Sequence, residues 1–110
     1  MNWEKCSQRE IEALRETYVL PQILTFKWLQ FTNDKCAEYL SKIGAEEADI
    51  HSKFGAGCGN IVERLKQIYD LLGADKIDQK VMRQIDLLLS STEEELDELI
   101  SLWQKAPTEF

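Results

Sequence analysis

The chain has 110 residues, with 13 lysines and arginines against 20 aspartates and glutamates, a formal charge of −7, and a composition that is 44% hydrophobic and 30% charged. That length suits a single domain spanning residues 1–110, with a real but modest core, and the hydrophobic share excludes a disordered chain. The negative charge opposes direct binding to nucleic-acid phosphates or to anionic lipid, whose affinity rests on lysine and arginine, and favours a protein partner with a basic surface.

Residues Met1-Asn2-Trp3-Glu4-Lys5 show no basic stretch leading into an apolar one. No apolar run approaches the roughly 18 residues of a membrane span. Cys6, Cys36 and Cys58 are odd in number and widely spaced, unlike a disulfide framework. A soluble cytoplasmic protein with reduced thiols, away from membranes, is the expectation.

Ser7 and Glu10 have capping-box spacing, and Ile11, Leu14 and Tyr18 follow at helical intervals, so a first helix is expected from about Ser7 to Val19. Pro21 lacks an N–H and disfavours helical geometry at Leu20, which predicts a break or kink there. A second helix then runs to about Ile43, with Gly44 as its stop. Along it, Phe26, Leu29, Asn33, Cys36, Leu40 and Ile43 draw a core stripe. Leu24, Trp28 and Phe31 form a second stripe, displaced around the helix, which suits either core packing or contact with a partner.

Gly55, Gly57 and Gly59 crowd into five residues just after the only histidine, His51. Each glycine costs a helix roughly 0.8–1 kcal/mol relative to alanine, so the run implies a break or a surface that something approaches closely. Ile50, Phe54, Gly57 or Cys58, Ile61, Leu65, Ile68 and Leu72 keep one helical phase through it. One long helix from about Ala45 to Leu72 is therefore expected, stopped by Gly73, the alternative being a break at Phe54 and a restart at Asn60. Asp75 or Asp78 then caps a helix carrying Ile77, Val81, Ile85, Leu88 and Leu89 and ending near Ser90. Ser91 with Glu94 reads as a second capping box, opening a last helix that buries Leu96, Leu99, Ile100 and Trp103 and ends at Pro107. On this reading Glu93, Glu94, Glu95, Asp97 and Glu98 lie at a helix start, where the dipole favours negative charge. The fold class is all-α: an antiparallel bundle of four or five helices with no sheet.

Little in the chain assembles into chemistry. Gly55-x-Gly57-x-Gly59 lacks the strand, the helix opening and the lysine of a phosphate cradle. His51 and the cysteines lack paired ligand spacing, so no metal and no cofactor is expected. Cys58 would become a nucleophile only at a helix start with a base nearby, and His51, two turns away, is roughly 10 Å off along a continuous helix. On such a helix His51 stands beside Gly55 and Gly59, a groove without side chains and open to another protein.

With His51, Gly55, Ala56 and Gly57, and with Leu65 and Ile68 continuing the apolar phase, the segment resembles histidine phosphotransfer domains. The resemblance implies His51 as a phosphoacceptor on a helical bundle. The lysine such domains place directly before the glycine is replaced by Phe54, and Lys53 lies one position early.

The leading expectation is a small acidic binding module without catalysis: an inhibitor, immunity or adaptor protein that masks a basic site on its target. Its contact residues are Trp28 and Phe31 as apolar anchors, with the surface at Gly55 and Gly59 for close approach. The alternative is a phosphorelay through His51. An acidic face that imitates nucleic acid, and a homodimer through the glycine groove, are also compatible with these residues.

Overall fold

The computed structural model describes residues 6–105, and among these every regular element is helical. The chain runs as three helical rods, over residues 8–42, 48–72 and 79–104, instead of the four or five helices expected. The first rod comprises α1 (Gln8–Leu14), a π-helical turn (Arg15–Val19) and α2 (Leu20–Lys42); α3 (Ala48–Leu72) and α4 (Gln79–Gln104) are the others.

The start of α1 is the expected capping box. Ser7 Oγ accepts the Glu10 N–H at 3.1 Å and the Glu10 carboxylate accepts the Ser7 N–H at 3.4 Å. Of the break or kink expected at Pro21, the break is absent, because the turn before it is widened. The Leu20 N–H reaches back five residues to the Arg15 carbonyl, and Pro21 falls in the first turn of α2, where a missing N–H and a bulky ring are tolerated. The widened turn also delivers two side chains to the end of α3. Arg15 Nε donates to the Tyr69 carbonyl at 2.8 Å and its guanidinium lies 4.0 Å from the Tyr69 ring centroid, while the Tyr69 hydroxyl donates to Glu16 at 2.8 Å.

Gly44 ends α2 as expected, at φ +73°, with its own N–H on the Ser41 carbonyl at 3.1 Å and the Ala45 N–H on that of Leu40 at 2.9 Å. Helix α3 passes unbroken through Gly55, Gly57 and Gly59 to Gly73. Asp78, of the two aspartates considered, caps α4 by accepting the Val81 N–H at 2.9 Å.

The stop near Ser90 and the second capping box do not form, since α4 is one helix of 26 residues. No glycine or proline interrupts it, and Thr92 Oγ1 bonds back to the Leu88 carbonyl at 2.7 Å, inside the helix. Glu93 to Glu98 are therefore mid-helix residues, and the dipole argument does not apply to them. The expected stop at Pro107 and the segment Met1–Lys5 lie outside the described residues.

The long first rod sets the outer dimension: residues 8–42 at 1.5 Å each come to about 52 Å, against a long axis of 53 Å and two short axes of 20 Å. Helix α3 lies in the middle, with α2 and α4 packed on it and scarcely on each other. Ile61, Cys58 and Ile85 are fully buried between them, joined by Val19, Ile23, Ile68 and Leu72.

The glycines explain how closely the neighbours sit. Gly55 lies against Asp34 and Gly59 against Gln30 of α2, while Gly57 lies against Leu99 of α4. Because polar Gln30 and Asp34 take the places over the glycines, α2 is turned from the expected stripe. Val19 and Ile23 point inward with Asn33, Phe26 and Leu29 are half-buried, and Cys36 and Ile43 are exposed. Of the four apolar positions expected on the last helix, only Leu99 is buried, leaving Leu96, Ile100 and Trp103 37%, 48% and 53% exposed. No described helix is long and apolar enough to cross a membrane.

Candidate functional site

His51 is half-buried near the start of α3, with Nδ1 2.9 Å from Asn33 Oδ1. Asn33 donates through Nδ2 to the Leu29 carbonyl at 2.8 Å, so its oxygen is the acceptor, which assigns the imidazole proton to Nδ1. The side-chain-free groove expected beside His51 is filled by α2. A Cβ on Gly59 would lie 2.7 Å from Gln30 Nε2, and one on Gly55 would overlap the Asp34 carboxylate. Gly55 is itself buried. Lys53 is drawn to Asp49, at 2.9 Å on an exposed face.

Cys58 is fully buried among the core side chains, and burial, aided by the negative charge of Asp34, pushes its thiol up to about 11. Such a thiol stays protonated at neutral pH and packs as a small apolar group. Among the described residues, no three histidine, cysteine, aspartate or glutamate side chains gather as a metal would require.

Trp28 and Phe31 stand on the outer side of α2, 65% and 54% exposed, with ring centroids 6.0 Å apart and planes at 28°. Leu24 and Tyr39 are equally open and share their face at helical spacing. Lys35 lies 5.8 Å from the Phe31 ring centroid and pairs with Glu38, which Lys42 also approaches. Those two lysines hold the Glu38 carboxyl below its usual range, Lys35 foremost through a hydrogen bond. The local charge beside this aromatic stripe is thus mixed, and the acidic surplus sits elsewhere.

It sits on α4, beside a cleft that sequence reasoning assigned to the core. Phe26, Leu29 and Asn33 of α2 face Leu96, Ile100 and Trp103 of α4 across about 550 Å³, with Phe54 of α3 and Leu99 between them. Phe54 and Trp103 rings meet at 5.4 Å. Leu96, Leu99, Ile100 and Trp103 span about 100° of α4, the ordinary width of a core-facing stripe, so their spacing alone did not mark the cleft. Exposed Glu93 and Asp97 lie outside the cleft lining, each three residues before Leu96 or Ile100 and so one helical step beyond the α4 wall, whereas Glu95 turns inward and accepts from Asn60 at 2.9 Å, with Arg64 at 3.7 Å. Comparison with protein-family models, with curated proteins and with solved structures finds no match to this chain.

Proposed function

We propose that the chain is a protein-binding module of the cytoplasm, an inhibitor, immunity or adaptor protein that masks a basic site on its partner. The observation that carries this reading is the open stripe of Leu24, Trp28, Phe31 and Tyr39 on the outer face of α2, each more than half exposed. Exposed apolar surface of that kind marks interaction sites, and aromatic side chains are the usual anchors. A charge of −7 speeds encounter with a basic partner and discourages acidic ones. The exposed Cys36 thiol suits a reducing compartment.

The test is affinity capture from a lysate of the source cell, comparing the wild type with Trp28→Ser/Phe31→Ser. Both side chains lie outside the core, so the variant should keep its helicity and melt within a few degrees of the wild type while losing the captured partner. Capture unchanged by the double substitution, or collapse of the fold, would remove Trp28 and Phe31 from the binding surface.

A further inference from the structure

We propose that the cleft between α2 and α4 seats an amphipathic helix of a partner protein that carries lysine or arginine along one flank of its apolar face. The inference rests on the reading of the chain as a protein-binding module and adds a second surface, on the far side of α2 from Trp28 and Phe31.

The architecture leaves the place open. Helix bundles bury apolar stripes by surrounding a common core, commonly with four helices, and here α2 and α4 both pack on α3 while scarcely meeting each other. Ile85 of α4 is fully covered and Leu99 is 5% exposed, whereas Leu96, Ile100 and Trp103 are 37%, 48% and 53% exposed. The cleft therefore opens where Leu96, Ile100 and Trp103 lack a neighbour on one side. Its wall on α4 runs from Leu96 to Gln104, about 12 Å or just over two helical turns. That is a seat for three or four side chains spaced along one helix face, as in helix-in-groove recognition.

The charge at its edges selects the occupant. Glu93 and Asp97 lie one helical step from Leu96 and Ile100, both exposed and neither engaged in an ion pair among the described residues. Across the cleft, the residues at helical spacing from Leu29 are Thr25, Thr32 and Cys36, which carry no charge. Both walls are apolar or uncharged, but the rim beyond the α4 wall is acidic and the rim beyond the α2 wall neutral, so the field has one sign and one side. A helix with cations along a single flank is complementary to it, and that flank fixes which way round the helix lies. A second copy of this chain is opposed by like charge, each copy carrying −7.

The probe is a fluorescent synthetic helix of about 14 residues, roughly four turns, with leucines at i, i+3, i+4 and i+7 and lysines along one flank, compared by anisotropy with the same peptide bearing glutamates there. The lysine peptide should bind at least about tenfold tighter than the glutamate one. Ile100→Glu should weaken it about tenfold or more, and Glu93→Lys/Asp97→Lys should reverse the preference; all three positions are exposed, and an unchanged melt shows that the fold is kept. Trp28→Ser/Phe31→Ser should bind the lysine peptide like the wild type. Absence of saturable binding, equal binding of the two peptides, or dependence on Trp28 and Phe31 in place of Ile100 would overturn the inference, as would a wild-type dimer in sedimentation that Ile100→Glu dissolves. The two readings fail separately. Loss of peptide binding leaves lysate capture through Trp28 and Phe31 standing, and loss of that capture leaves the cleft titration standing.

Discussion

Gly57 packs against Leu99 of α4, and the three glycines of the run are not equivalent. A Cβ on Gly57 would overlap a methyl of Leu99, with the Leu99 Cγ at 3.1 Å and its other methyl at 3.3 Å, and Leu99 is 5% exposed within the core cluster. A Cβ on Gly55 would meet the end of the Asp34 side chain, which is exposed and free to swing. Replacing a helical glycine with alanine gains up to about 1 kcal/mol of propensity, whereas overpacking a fixed neighbour costs roughly 1–3 kcal/mol. The cost wins at Gly57 and the gain at Gly55. Gly57→Ala should lower the melting temperature by about 5 °C, and Gly55→Ala should leave it unchanged or raise it. Equal shifts in the two variants would mean that Leu99 does not hold its place against α3. The same packing removes the open surface that the glycine run suggested: what approaches the glycines is the chain itself.

At the scale of the element, the continuity of α4 separates two readings that share every residue. If a helix began after Ser91, Thr92 would be its first helical residue, a position that accepts proline readily. Within one helix, proline at 92 removes an internal hydrogen bond and clashes with the carbonyl of Leu88, a loss of about 3 kcal/mol or more. Thr92→Pro should therefore destabilise the fold severely in chemical denaturation; a variant as stable as the wild type would restore the capping box. Ser91 and Glu94 show the limit of a short pattern: the spacing is right, but no glycine or proline stops the preceding turn. The box at Ser7 and Glu10 was legible because Ile11, Leu14 and Tyr18 begin their helical spacing only after it, and α3 was legible because Ile61, Leu65 and Ile68 hold the phase of Ile50 and Phe54. The widened turn before Pro21 was not legible, because what it positions, Arg15 and Glu16 on Tyr69, lies on another helix. Periodicity likewise placed Leu96, Ile100 and Trp103 on one stripe of α4 without revealing that nothing covers it.

Across the whole molecule, burial is concentrated on α3 and thins outward. Its radius of gyration is 16.9 Å, against about 13 Å for a compact domain of this length, because three long rods lie side by side, two of them flanking α3. Helix α3 has a neighbour on two sides, with Ile61 fully buried and Ile68 and Leu72 each 2% exposed, while the last turns of α4 are held mainly by Leu99. Opening the end of α4 exposes little that is not already exposed, whereas opening α3 separates both flanking helices from it. Local opening free energies follow that difference, since amides in sparsely packed segments exchange through small fluctuations and those in the core only through global unfolding. Hydrogen exchange should be slowest across residues 58–68 and fastest, among helical amides, across residues 100–104. Addition of the lysine-flanked peptide should slow residues 96–104 selectively, because its helix would cover the face that α4 leaves open. Uniform protection of α3 and α4 in the free protein would mean that the cleft is closed in solution and that α4 finds its cover within this chain.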